Sequence, residues 1–205
     1  MNEPKQAQVP ELKFAHFAPD VWQALAGVER KGWVIRGVKN PETDQDHTVS
    51  LRRIAVSLLD ELSDKEKEGL LDMLEVHEWP EVILGDQIVP YLKDDEVEYK
   101  RLKDKKFEDE KKALESMCER IGEKGQEILN LWLRYAKSSD EAASFARQLD
   151  KYQAVEQALE YERALGMPLF RDFIDREYSE KRITHPVLLR RMQMLEGEWE
   201  SSNKQ

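Results

Sequence analysis

The sequence predicts an all-α fold. Apolar residues recur at helical spacing along nearly the whole chain, no run alternates apolar and polar for the length of a sheet strand, and two segments carry a capping pattern at a helix start. The first helix is expected from Ala15 to Arg30, with Phe17, Val21, Leu25 and Val28 on one face and Pro19-Asp20 suited to its start. GWVIRGVKNP (32–41) then interrupts with two glycines and a proline, which predicts a loop or short extended piece. A second helix, about 43–62, would bury Val49, Ile54, Val56 and Leu59. Ser63-Asp64-Lys65-Glu66 opens a third, whose apolar face is Leu70, Leu71, Leu74 and Val82. Pro80 has no amide hydrogen to give the carbonyl of Val76, so that helix should kink or end at His77-Glu78.

Residues 92–120 form a polar run of mixed sign, the pattern of a solvated helix rather than a binding tail. A helix from Gln126 to Lys137 should follow. Ser138-Ser139-Asp140-Glu141 is the second capping pattern and starts a long helix through about Leu165, ended by Gly166-Met167-Pro168. Shorter helices are expected over Leu169–Tyr178 and Pro186–Trp199, before the polar tail ESSNKQ.

Composition narrows the function. With 205 residues, 40% apolar and 36% charged, the chain is one domain, or one with a tail, and can bury a core. A formal net charge of −10 argues against duplex nucleic acid or an anionic membrane as main partner, since both need a positive footprint. Small anionic substrates stay open if positive side chains gather locally. The single cysteine, Cys118, excludes an intrachain disulfide and fits a cytoplasmic location. No apolar run reaches membrane-span length, and MNEPKQAQVP lacks a signal-peptide pattern. P-loop, dinucleotide and serine-elbow motifs are absent, which leaves kinase, dehydrogenase and serine hydrolase readings without support.

His47, the pair His77-Glu78 and Asp150 stand out as candidate metal ligands, all on expected helices. Neighbouring helical positions diverge by about 100°, so His77 and Glu78 can share a site only if it lies between their directions. With His47 and Asp150 they would make a set of two nitrogens and two oxygens, suited to Mn, Fe, Co, Ni or Zn with positions left for water and substrate. Each has a plainer alternative: a surface histidine, a solvated glutamate, or an aspartate paired with Arg or Lys. His16 and His185 have no such constellation around them.

Four stretches in order, ERKGWVIRGVKNPETDQDH (29–47), LEVHEWPEVILGDQIVP (74–90), EDEKKALESM (108–117) and LWLRYAKSSDEAASFARQLDKYQAVEQALEYE (131–162), resemble the HD-domain superfamily of metal-dependent phosphohydrolases, in its 5′-deoxynucleotidase-like branch. The resemblance implies a helical core over 15–165, preceded by a tail (1–14) and followed by a helical extension (166–205). It also implies one divalent ion (Mn, Co, Mg, Zn, Ni or Fe), a nucleoside 5′-monophosphate substrate and a homodimer. The family's His, His-Asp and distant Asp fall on His47, His77, Glu78 and Asp150. Its acid that orients or deprotonates the attacking water falls on Glu81, the aspartate of its Gly-Asp step on Asp86, a phosphate-contacting arginine on Arg36, and a tryptophan against the sugar on Trp33. Arg36 has a structural alternative in Glu42 or Asp46, and Trp33 in the core. The departure is Glu78, where the family has aspartate: one methylene more adds roughly 1.5 Å of reach. The runner-up reading is therefore a non-catalytic module of this fold that binds nucleotide or a protein partner.

Overall fold

The computed structural model describes residues 9–90, 92 and 95–203. The first eight residues of the expected tail, Lys93 and Asp94 of the polar run, and the last two residues of the C-terminal tail lie outside them. The described residues are helical with no strand; one isolated bridge joins Glu29 to Thr43. Among the described residues, no helix is long and apolar enough to cross a membrane.

Two compact units emerge from the packing. One comprises 10–49 and 71–137. Its first helix, α1, is Pro19–Leu25, shorter than expected because Gly27 closes a turn on Ala24 and the chain then runs out to pair with Thr43. The segment expected to be a loop contains a single helical turn, α2 (Lys31–Val34), which Gly37 ends with φ 83°. Four residues carry too little periodicity to be seen in advance. α3 (Asp44–Leu58) begins in this unit, and a capping exchange between Thr43 and Asp46 fixes its start: each side chain accepts from the other's backbone N–H, at 3.0 and 3.2 Å.

The third expected helix divides. α4 (Asp64–Lys67) has the full Ser63/Glu66 capping box; Gly69, at φ 72°, then breaks the chain, and α5 (Leu70–Val76) buries Leu70, Met73, Leu74 and Val76. Pro80 caps the next turn, α6 (Glu81–Leu84), so the helix ends before His77 as its missing amide requires. α7 (Glu96–Ile121) is the polar run, buried only at Ala113, Leu114, Met117 and Cys118. α8 (Glu123–Lys137) returns along it, and Phe107 stacks on Trp132 with centroids 5.6 Å apart.

The other unit comprises 50–70 and 138 onward, with α9 (Glu141–Leu165), α10 (Phe170–Ser179) and α11 (Pro186–Asn203). Asp140, rather than Ser138, caps α9 by accepting from Ala143 N–H at 2.9 Å, and Gly166 ends it in the left-handed conformation. Within this unit α9 packs against α4, α10 and α11. Along α3 the buried positions are Asp44, His47, Thr48, Leu51, Arg52, Ile54, Ala55 and Leu58, a broad face whose apolar stripe is Leu51, Ile54, Ala55 and Leu58. Val49 is exposed and Val56 and Leu59 half-buried, so the expected face was rotated from the real one.

Candidate metal centre

His47 lies one turn into α3, on its buried face, so the cap that fixes the start of α3 also aims its imidazole. His77 and Glu78 were expected on a helix; they sit instead in the tight turn after α5, where Trp79 N–H bonds Val76 and Glu81 N–H bonds Glu78 at 3.2 and 3.0 Å. That turn removes the 100° divergence and lets both side chains face one point. Asp150 is buried on α9, with Lys151 Nζ 2.6 Å from its Oδ2. His47, His77 and Glu78 each offer a ligand atom to one point within their unit, while Asp150, the fourth expected ligand, belongs to the other unit.

The imidazoles test whether an ion suits this set. His77 Nδ1 lies 2.8 Å from the carbonyl of Leu74, an acceptor only, so Nδ1 carries the proton and Nε2 a lone pair. That lone pair faces His47 Nε2 at 3.3 Å, with Glu78 Oε1 3.3 Å and 3.6 Å from the two nitrogens. Electron-rich atoms gathered this closely need a positive charge among them, a proton or a cation. Backbone fixing of the remote ring N–H is how metal-binding histidines are held. Burial alone would favour protonated Glu78, but in the ion-free protein the charge of His77, when its ring takes up a second proton, and then that of Arg30 hold the carboxyl well below its ordinary range. Arg30 Nη1 contacts Glu78 Oε1 directly. The residues fit a divalent ion.

Further acids line the same region. Glu81 is buried, and burial followed by the charge of Glu78 pushes its carboxyl up to about 11, against the pull of Lys106. Lys106, from α7, has its Nζ 3.4 Å from Glu81, 3.1 Å from Glu110 and 2.5 Å from the Gln87 carbonyl. Asp86 accepts from Lys31 N–H at 2.6 Å. Asp44 has no exposed surface.

Arg36 and Trp33 are placed differently from their expected roles. Arg36 donates to the Gly32 carbonyl at 2.9 Å, within its own turn. Trp33 is a core residue, 3% exposed, whose Nε1 donates to Glu42 at 2.9 Å. The guanidinium at the centre belongs to Arg30, which the sequence reading passed over, together with Asp44 and Lys106. Arg30 stands three residues before Trp33 in ERKGW, and its neighbourhood to that motif was the available signal. Lys106 lies inside the charge run and gave none.

A family model described as an HD domain matches residues 23–186. The chain is 31% identical to the 5′-deoxynucleotidase HDDC2 of Mus musculus over 180 residues, 87% of this chain and 84% of that one. It is 32% identical to the bovine (Bos taurus) protein of the same name, over 85% of this chain and 80% of that one. A solved structure from Pyrococcus horikoshii superposes with a TM-score of 0.65 at 25% identity, over 86% of this chain and 95% of that one.

Proposed function

Because the chain belongs to the HD-domain family, we propose that it is a phosphoric monoester hydrolase acting on nucleoside 5′-monophosphates, deoxyribonucleotides first, with a divalent ion as cofactor. One observation carries this beyond family membership: two buried imidazole Nε2 atoms face each other at 3.3 Å beside the Glu78 carboxylate, one with its tautomer fixed by the backbone. His47, His77, Glu78 and Asp150 would hold the ion, and the two nitrogens favour Mn, Fe, Co, Ni or Zn over Mg. When bound, a divalent ion supplies Lewis acidity, lowering the pKa of a water and offsetting charge on the phosphoryl oxygens.

The remaining work falls to the chain. Water oxygen attacks phosphorus, the bond from phosphorus to the 5′ oxygen breaks, the water loses a proton and the nucleoside oxygen gains one. Glu81 stands three residues past Glu78 and handles the water's proton; a cation nearby lowers its carboxyl from the protonated state that burial imposes. Lys106 fixes its orientation. Asp86, anchored on Lys31 N–H, is the candidate donor to the leaving oxygen. Arg30 is the phosphate contact best supported by position; Arg36 would serve only by leaving Gly32. Trp33 lies in the core, 3% exposed, and offers no open face to a sugar. The cytoplasmic location and the homodimer belong to the same proposal and rest on the single cysteine and on the family.

The test is phosphate release from deoxy- and ribonucleoside 5′-monophosphates by metal-stripped protein resupplied with Mn, Co, Mg or Zn. Metal-dependent release is expected, with deoxy forms preferred. His77→Ala or Asp150→Ala should reduce turnover at least about a hundredfold and remove bound metal from folded protein. A folded parent that releases nothing with any ion would leave a nucleotide-binding module instead.

A further inference from the structure

Arg30 stands between two carboxylates. Its Nη1 contacts Glu78 Oε1 and lies 3.7 Å from Asp44 Oδ1. The Arg30 side chain keeps 17% exposure while Asp44 keeps none, and Asp44 shares a hydrogen bond with the Glu81 carboxyl rather than with Arg30. Burial penalises the ionised form of Asp44 until a cation reaches it, so a closer approach of Arg30 would relieve the group. Meanwhile the oxygen Arg30 holds, Glu78 Oε1, is the one 3.3 Å and 3.6 Å from the two imidazole nitrogens. One oxygen therefore faces two claims, from a guanidinium and from the ion the imidazoles are built to receive. Positive charges sharing it would repel each other.

We propose that Asp44 is a positioning residue that receives Arg30 when Glu78 turns to a metal ion. The inference rests on the metal-site reading above and adds a residue to it. Without Asp44, Arg30 would either stay on Glu78 and compete with the ion, or withdraw to water through its exposed side and leave the site. With Asp44, a shift of under about 1 Å converts the 3.7 Å approach into a charge-assisted hydrogen bond. The planar fork of arginine keeps further N–H groups for a phosphate oxygen. The device belongs to glutamate at this position: the extra methylene, roughly 1.5 Å, is what carries the carboxylate to Arg30. An aspartate there would draw back, and Asp44 would have little to do.

The experiment is Co²⁺ titration of metal-stripped protein, followed by visible absorption and calorimetry, on the parent, Asp44→Asn, Glu78→Asp and the double variant. Asp44→Asn should weaken Co²⁺ binding about tenfold in the parent and less than about twofold in the Glu78→Asp background. Arg30→Met should tighten Co²⁺ binding while raising KM for nucleotide. An equal Asp44→Asn loss in both backgrounds would make Asp44 merely structural and overturn the proposal alone. If Asp44→Asn does not fold, Arg30→Met decides, and unchanged or weaker Co²⁺ binding in it overturns the proposal. A parent that binds no Co²⁺ overturns the metal reading and the proposal together.

Discussion

Asp44 is wholly buried, and burial first, then the charge of Glu78, pushes its carboxyl from the ordinary 3.8 up to about 8. The unfolded chain gives up this proton near pH 4, whereas the folded metal-free protein keeps it to about pH 8. Across that window the native state binds more protons than the unfolded one, so stability falls as pH rises; below it both states are protonated and the dependence vanishes. Asp44→Asn, which cannot titrate, should flatten the fall in stability of metal-free protein between about pH 5 and pH 8. Urea unfolding at three pH values measures it, and an unchanged slope would place the proton elsewhere, with Glu81 as the remaining candidate. At this scale the site was half legible. Histidines are rare here, four in the chain, so His47 and His77 stood out by type alone. Arginine and lysine number 32, and apart from its place beside the tryptophan motif nothing distinguishes Arg30 among them until the structure sets it on Glu78. Asp44 gave no signal of its own, because sequence reveals residue type and not burial.

The α7–α8 hairpin turns at Gly122, with φ 79°, and closes at Gly125, where a Cβ would lie 2.1 Å from the carbonyl oxygen of Cys118. That oxygen belongs to backbone and cannot swing aside, so Gly125→Ala must push the two helices apart. The cost should be about 2–3 kcal/mol, the range of overpacked interiors. Thermal unfolding should show Tm lower by about 5–10 °C for a chain of this size, and a fall under about 2 °C would mean the hairpin yields freely. Glycine and proline also explain which elements could be foreseen. Pro80, Gly166 and the Ser63/Glu66 box act through local backbone bonding, made or denied within a turn, and their boundaries were readable. Gly69 was not read as a break: the capping box and the leucines beyond it looked like one helix, and only its positive φ divides them. His77 and Glu78 fall in the turn that Pro80 imposes after α5, and the turn is what makes their side chains converge.

Across the whole molecule the sequence led to the right fold class because period and capping repeat along every element. The energetic meaning of the site needs the folded chain. Without an ion, two imidazoles and a carboxylate are packed together in the interior, and Arg30 is drawn onto Glu78. An ion that binds only the native state stabilises it by mass action, about 2.7 kcal/mol at a hundredfold excess over Kd. Mn²⁺ or Co²⁺ at micromolar to millimolar concentration should therefore raise Tm by about 5–10 °C, a chelator should reverse it, and His47→Ala should abolish it. A second source of cation stabilisation must be separated from this one. The chain has a formal net charge of −10, and any salt relieves its self-repulsion. Monovalent salt at matched ionic strength measures that part. If it reproduces the whole shift, or if His47→Ala retains it, the cations act on the protein's overall charge and the imidazole pair is no metal centre. If the shift survives in high salt and vanishes with His47, stability and ligation are one equilibrium, centred on the residues that the family motif shares with this chain.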